Sequence, residues 1–199
     1  MFSSLRKVVV GCICLFLLLA VDGQCQIDSD NTNTISEYLI QKVNDCTDSD
    51  FTTSLFLLSH LTLTENNIRV LSSIYKREKD PIRKVFIAFT LYERTLEKRY
   101  ENDFIKLYPV GEQQRRIWKI SRYKTDYVNV SSPLQRRLAN FAITNQIALK
   151  KLLSGYEFSD GADRESLSDQ ILQIYKSNPD YIVRELHQHN IELSELGIK

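Results

Sequence analysis

Chemistry needs nucleophiles, bases or metal ligands held close together, and this 199-residue chain offers few of them. Its three histidines are His60, His187 and His189. His60 ends the apolar run Leu55-Phe56-Leu57-Leu58-Ser59, which predicts a boundary residue with one ring nitrogen bonded to backbone rather than a base. His187 and His189 are two apart, so on a helix they point about 200° away from each other and cannot clasp one metal ion. Glu185 and Glu192 lie nearby, but the spacing fits no His-Glu-x-x-His pattern, so no metal site is expected. The stretch Ser159-Asp160-Gly161-Ala162-Asp163-Arg164-Glu165 clusters oxygen ligands without the spacing of a calcium loop. It reads as a solvated turn, with Asp163 capping the next helix. There is no nucleophile elbow and no phosphate-cradling glycine loop, and paired carboxylates occur only in ordinary surface settings. No catalytic residue and no cofactor is therefore expected. An enzyme would have to be of an unfamiliar type, using residues that no pattern marks.

Other residue types address the chain to a compartment. Arg6 and Lys7, the apolar run Val8 to Ala20 and the turn-prone Val21-Asp22-Gly23 have the layout of a secretory signal peptide over residues 1–23. The run is shorter than the roughly 20 residues that span a bilayer, so no transmembrane anchor is expected. Cleavage would remove Cys12 and Cys14 and leave Cys25 and Cys46 in an oxidising, extracellular setting. One bridge between them, clipping the new N-terminus to the end of the first helix, is the economical outcome and is worth about 3 kcal/mol in the chain-entropy model. Neither cysteine has a neighbouring His or a Cys-x-x-Cys partner that would favour a reactive thiolate. Asn129-Val130-Ser131 is a glycosylation sequon placed between two predicted helices, where a loop would be exposed.

The elements that position these residues are helical. Residues 24–199 read as a single all-α domain of about six to eight helices, because apolar positions recur at three-and-four spacing and alternating strand patterns are absent. The clearest segment begins at Asp80-Pro81, an N-cap followed by proline at the first helical position, and runs to Leu107 before Pro109 and Gly111. Ile82, Val85, Phe86, Phe89, Tyr92, Leu96, Tyr100, Phe104 and Leu107 make its stripe, and a bend or break is expected near Asn102-Asp103. A second segment opens at Ser132-Pro133, with Gln135 placed for a capping box, and closes at Gly155. Asn145 interrupts its stripe as a satisfied polar group. Shorter helices are predicted over 35–45 (capped by Thr34), 51–61, 65–78, 112–127, 164–177 and 179–189. Glu65, Ile74, Tyr75, Lys76, Asp80 and Ile82 recur 100 positions later as Glu165, Ile174, Tyr175, Lys176, Asp180 and Ile182, as stacked helical hairpins would give. Solenoids need three or more repeats and no third copy is found, so coincidence between amphipathic helices accounts for the match and no family is assigned.

Charge is uneven along the chain. The total is +1, which with 43% apolar residues argues against bulk disorder and against a strongly charged nucleic-acid binder. Residues 112–153, however, hold nine basic and two acidic side chains, a net of +7, between acidic ends of −5 each at 24–60 and 154–199. Arg115, Lys119 and Arg122 share one side of a helix beside Arg116, and Trp118 is interleaved with them. Outside a cell such a face meets an anionic glycan, acidic lipid headgroups or an acidic protein, unless the acidic ends fold over it and leave a mixed surface, which the balanced total favours. The leading expectation is a secreted helical protein that binds an extracellular partner through Arg115, Arg116, Trp118, Lys119 and Arg122. The alternative is an extracellular carrier of a small apolar ligand or lipid, prompted by the many Phe, Tyr and Leu residues.

Overall fold

A computed structural model describes residues 29–45, 48–121 and 131–197. Ten α-helices and two short 3-10 turns make up the regular structure of those residues, with no strand among them. They are α1 (Ser29–Asp45), α2 (Asp48–Leu58), α3 (Glu65–Arg77), α4 (Pro81–Thr95), α5 (Lys98–Leu107), α6 (Gln114–Ser121), α7 (Ser131–Ala142), α8 (Gln146–Ser154), α9 (Gly161–Ser177) and α10 (Pro179–Gln188). The 3-10 turns are Gly111–Gln113 and Leu193–Leu196.

Short polar residues start several of these helices. Thr64 accepts a hydrogen bond from Asn67 N–H, Asp80 from Ile82 N–H and Asn178 from Tyr181 N–H, each satisfying an amide the first turn leaves open. Proline occupies the first position of α4 and of α10, where its missing N–H costs nothing. The apolar stripes then stack the helices in layers. Helix α1 packs on α2 and α3, and α2 packs on α4; at the other end α7 packs on α8 and α9, and α8 packs on α10. Between them α5 touches α4 and α8, while α6 touches α2 and α7. One apolar cluster runs through all of this, from Leu39 to Leu196. Its centre is Phe104, with ring centroids of Tyr108, Phe141 and Phe89 at 5.5, 6.0 and 6.2 Å, which joins α4, α5 and α7. Of the residues that recur at an offset of 100, Ile74 and Ile82 are buried on either side of the α3–α4 corner and Ile174 and Ile182 on either side of the α9–α10 corner. Their caps differ, because Asp80 caps α4 whereas Asn178, not Asp180, caps α10.

Among the described residues ten helices stand where six to eight were expected, because both long segments break. The 80–107 segment turns at Leu96, which adopts φ 54° and lies 72% exposed rather than in the core stripe. Thr95 secures that corner, its Oγ1 donating to Leu91 O and accepting from Glu97 N–H. Asn102 and Asp103 lie inside α5, where Asp103 accepts a hydrogen bond from Tyr75 OH at 2.8 Å. The second segment stops at Ala142 and restarts after Asn145, whose Oδ1 caps α8 by accepting from Ile147 N–H and Ala148 N–H. Two predicted caps are also displaced. Helix α1 begins at Ser29, which puts Thr34 inside it, and α9 begins at Gly161, which puts Asp163 in its first turn.

Candidate interaction face

Helix α6 is short and two-sided. Ile117 (0% exposed) and Trp118 (6%) face the core, while Arg115, Arg116 and Lys119 are exposed. Trp118 therefore anchors the helix from within instead of adding an aromatic to the outer surface. Gln114, also buried, fixes the start of the helix by donating from Nε2 to Lys151 O. On the outer side, Arg115 donates from Nε to Phe158 O at 3.2 Å and lies 3.4 Å from Glu112. Arg116 lies 3.5 Å from Asp80, which ties α6 to the corner between α3 and α4. No ion pair falls on Lys119 among the described residues. These contacts are solvent-exposed, and such pairs are worth at most about 1 kcal/mol each.

The remaining cations of the +7 block have different fates. Arg137 donates Nη2–H to Glu93 Oε2 at 2.9 Å with Nε 2.6 Å from Oε1, and its guanidinium lies 5.6 Å from the Tyr92 ring. Lys151 reaches inward to Lys106 O at 2.7 Å and to Tyr108 O, covering carbonyls at the end of α5, and burial lowers its pKa. Lys150 lies 3.8 Å from Glu185, a buried carboxylate on α10 that also accepts from Gln146 Nε2 at 3.0 Å. Arg136 stays exposed on α7. The acidic C-terminal part thus engages the basic middle at Lys150, while α6 keeps its cations outward. Arg122 and Asn129, with Cys25, Cys46 and residues 1–23, lie outside the described residues.

Among the described residues the titratable groups form no assembled reaction centre. His60 Nδ1 is 2.9 Å from Phe56 O, the backbone bond its apolar surroundings predicted. Burial lowers the pKa of His189 most, with Lys150 adding to this and Glu185 opposing it. Burial raises Tyr108 and Tyr75, the latter helped by its hydrogen bond to Asp103, so both stay neutral phenols. No group of three or more His, Cys, Asp or Glu side chains is gathered for a metal among the described residues. No helix among them is long and apolar enough to cross a membrane.

One feature without a sequence signal is a trough between α1 and α3, formed by two adjoining grooves of about 330 and 390 Å³. They share Asn44, Ile74 and Arg77 as lining residues.

The fold and site together define an all-helical domain with a basic outer helix and an open, mixed-polarity trough. Comparison with protein-family models, with characterised proteins and with solved structures finds no match to the chain.

Proposed function

We propose that the chain is a secreted helical protein that binds an extracellular partner, an acidic protein or an anionic glycan, without catalysing a reaction. The observation that carries this reading is the division of α6, which buries Ile117 and Trp118 and turns Arg115, Arg116 and Lys119 to solvent. Counter-ions held only in exposed pairs are readily exchanged for those of a partner, and a fixed helix presents its cations at low entropic cost. The signal-peptide layout and the Asn129 sequon supply the extracellular setting.

The test is capture from extracellular fluid by the mature protein. Alanine at Arg115, Lys119 and Arg122 lowers recovery of the captured partner while the helical circular dichroism signal and melting temperature hold. Unchanged recovery removes the assignment of this face. The carrier reading has less support, because the trough is open and rimmed by charged and amide groups that an apolar cargo would leave unpaired.

A further inference from the structure

The trough between α1 and α3 combines an apolar floor with one cationic end. Ile40, Val43 and Ile74 form the floor, and Val70, 39% exposed, extends it along α3. Arg77 and Lys79 stand exposed at the end nearest α4.

The anions beside them are turned elsewhere. Glu78 accepts at Oε1 from the N–H groups of Lys79 and Asp80, at 2.8 and 2.9 Å, and at Oε2 from Arg83 Nε at 3.1 Å. Asp80 caps α4 through Oδ1 and meets Arg116 through Oδ2. Arg77 makes only a 3.4 Å bond to Ser73 O of its own helix, and no ion pair falls on it or on Lys79 among the described residues. Two cations therefore face solvent at the mouth of a groove while the nearest carboxylates hold the corner together.

We propose that this trough docks an extended polypeptide segment whose apolar side chains rest on Ile74 and Val70 and whose carboxylate meets Arg77 and Lys79. The dimensions fit, since α3 from Asn66 to Arg77 runs about 16 Å, the length of roughly five extended residues. Gln41 and Asn66, exposed on the two walls, each offer a donor and an acceptor, which is what an extended main chain requires. Charge complementarity selects an acidic residue at the Arg77 and Lys79 end, since Glu37, exposed on the α1 wall and bonded by Asn33 Nδ2, makes the other part of the trough anionic. The apolar floor selects a polypeptide over a sulfated glycan, which has no side chain to fill it. The surface is separate from the α6 face, and the proposal stands or falls without it.

The probe is a phage-displayed random dodecapeptide library selected on the mature protein at physiological salt. The expected winners pair Leu, Ile or Phe with Asp or Glu. A fluorescein-labelled winner then loses affinity about tenfold or more against Arg77→Glu/Lys79→Glu, and similarly against Val70→Asp. It keeps its affinity for the Arg115→Ala/Lys119→Ala protein, which separates this test from that of the α6 face. All five substituted positions are exposed, and an unchanged circular dichroism spectrum checks each variant. The proposal is overturned if winners lack acidic residues, if their binding ignores the Arg77/Lys79 reversal, or if a heparin-derived hexasaccharide binds with that dependence while no peptide is enriched.

Discussion

Replacing Gly155 by alanine tests how tightly α6 is set against α8. Gly155 follows α8 with φ −83°, an ordinary right-handed conformation, so the usual reason for glycine at a helix end does not apply. The reason is space. A Cβ at this position would stand 2.1 Å from Gln114 Oε1 and 2.7 Å from its Cδ. Gln114 is 2% exposed, and its Nε2 donates to Lys151 O at 2.6 Å and reaches Ser154 Oγ at 3.3 Å. Ser154 Oγ in turn accepts from Gly111 N–H at 3.0 Å. The glutamine can make room only by leaving this network. Two weakened buried hydrogen bonds cost about 2 kcal/mol and residual overpacking about 1. Alanine's reduced freedom in the unfolded chain returns somewhat under 1 kcal/mol.

The net loss is about 2 kcal/mol, which for a chain of this size lowers the melting temperature by about 4–8 °C. The assay is urea unfolding followed by circular dichroism, run as a double-mutant cycle with Gln114→Ala. Gly155→Ala should cost little in the Gln114→Ala background, where the obstructing amide is gone. The reasoning is refuted if Gly155→Ala is as stable as the parent, or if its cost is unchanged once Gln114 has been removed.

Three further outcomes follow from the same geometry. Asn145→Ala removes the acceptor for two amides at the start of α8 and should lower stability by about 1 kcal/mol, read from the urea midpoint; no change would mean that Asn145 is not the cap. His189 has a folded pKa below its ordinary 6.5, so the folded state favours the neutral ring and stability falls as pH drops through that value toward the folded one. Urea titrations at pH 7.5 and 5.5 should show a smaller loss for His189→Gln than for the parent, and an equal loss would discount His189 as the cause. The Cys25 to Cys46 bridge is checked by non-reducing electrophoresis and disulfide mapping of the secreted chain. Because α1 rises about 24 Å and the four residues from Cys25 to Ser29 reach only about 14 Å, full extension back along the helix still leaves about 10 Å, more than a disulfide spans, so an intrachain bridge requires unwinding of an end of α1. A disulfide-linked dimer would exclude it.

Helical class was legible because three-and-four spacing marks the buried side of nearly every element, as Ile82, Val85, Phe86 and Phe89 do on α4. The corner at Leu96 was not legible. Tyr92, Leu96 and Tyr100 keep a four-residue spacing straight through the break, and a leucine in the left-handed region carries no local signal of the turn it makes. Asn145 did leave a signal, an amide ahead of a fresh apolar run, and its role as a cap follows from that position rather than from the stripe it interrupts. The cations of α6 were readable as an outer face, whereas Trp118 was grouped with them by proximity in sequence although it shares the buried side with Ile117. The trough was invisible because it exists only where α1 meets α3, a tertiary pairing that neither helix encodes alone.

The near-neutral total hides a division made by packing. On the α7 and α8 side, Arg137, Lys150 and Lys151 are held by Glu93, Glu185 and backbone carbonyls, the carboxylates lying at 17% and 4% exposure. Such partners are difficult to displace, since a ligand would have to strip a buried carboxylate of its counter-charge. On the α6 side, Arg115 and Arg116 meet Glu112 and Asp80 at 3.4 and 3.5 Å in exposed contacts that exchange readily. Glu93, backbone carbonyls and, at Lys150 alone, the acidic C-terminal part therefore quiet one half of the basic block, while the α6 cations stay outward. At the neighbouring corner, the same Asp80 that meets Arg116 caps α4, and Glu78 is drawn into Arg83, so Arg77 and Lys79 remain for a second anionic contact. Net charge is silent on this arrangement; what decides it is which carboxylates the helix corners need for their own backbone amides.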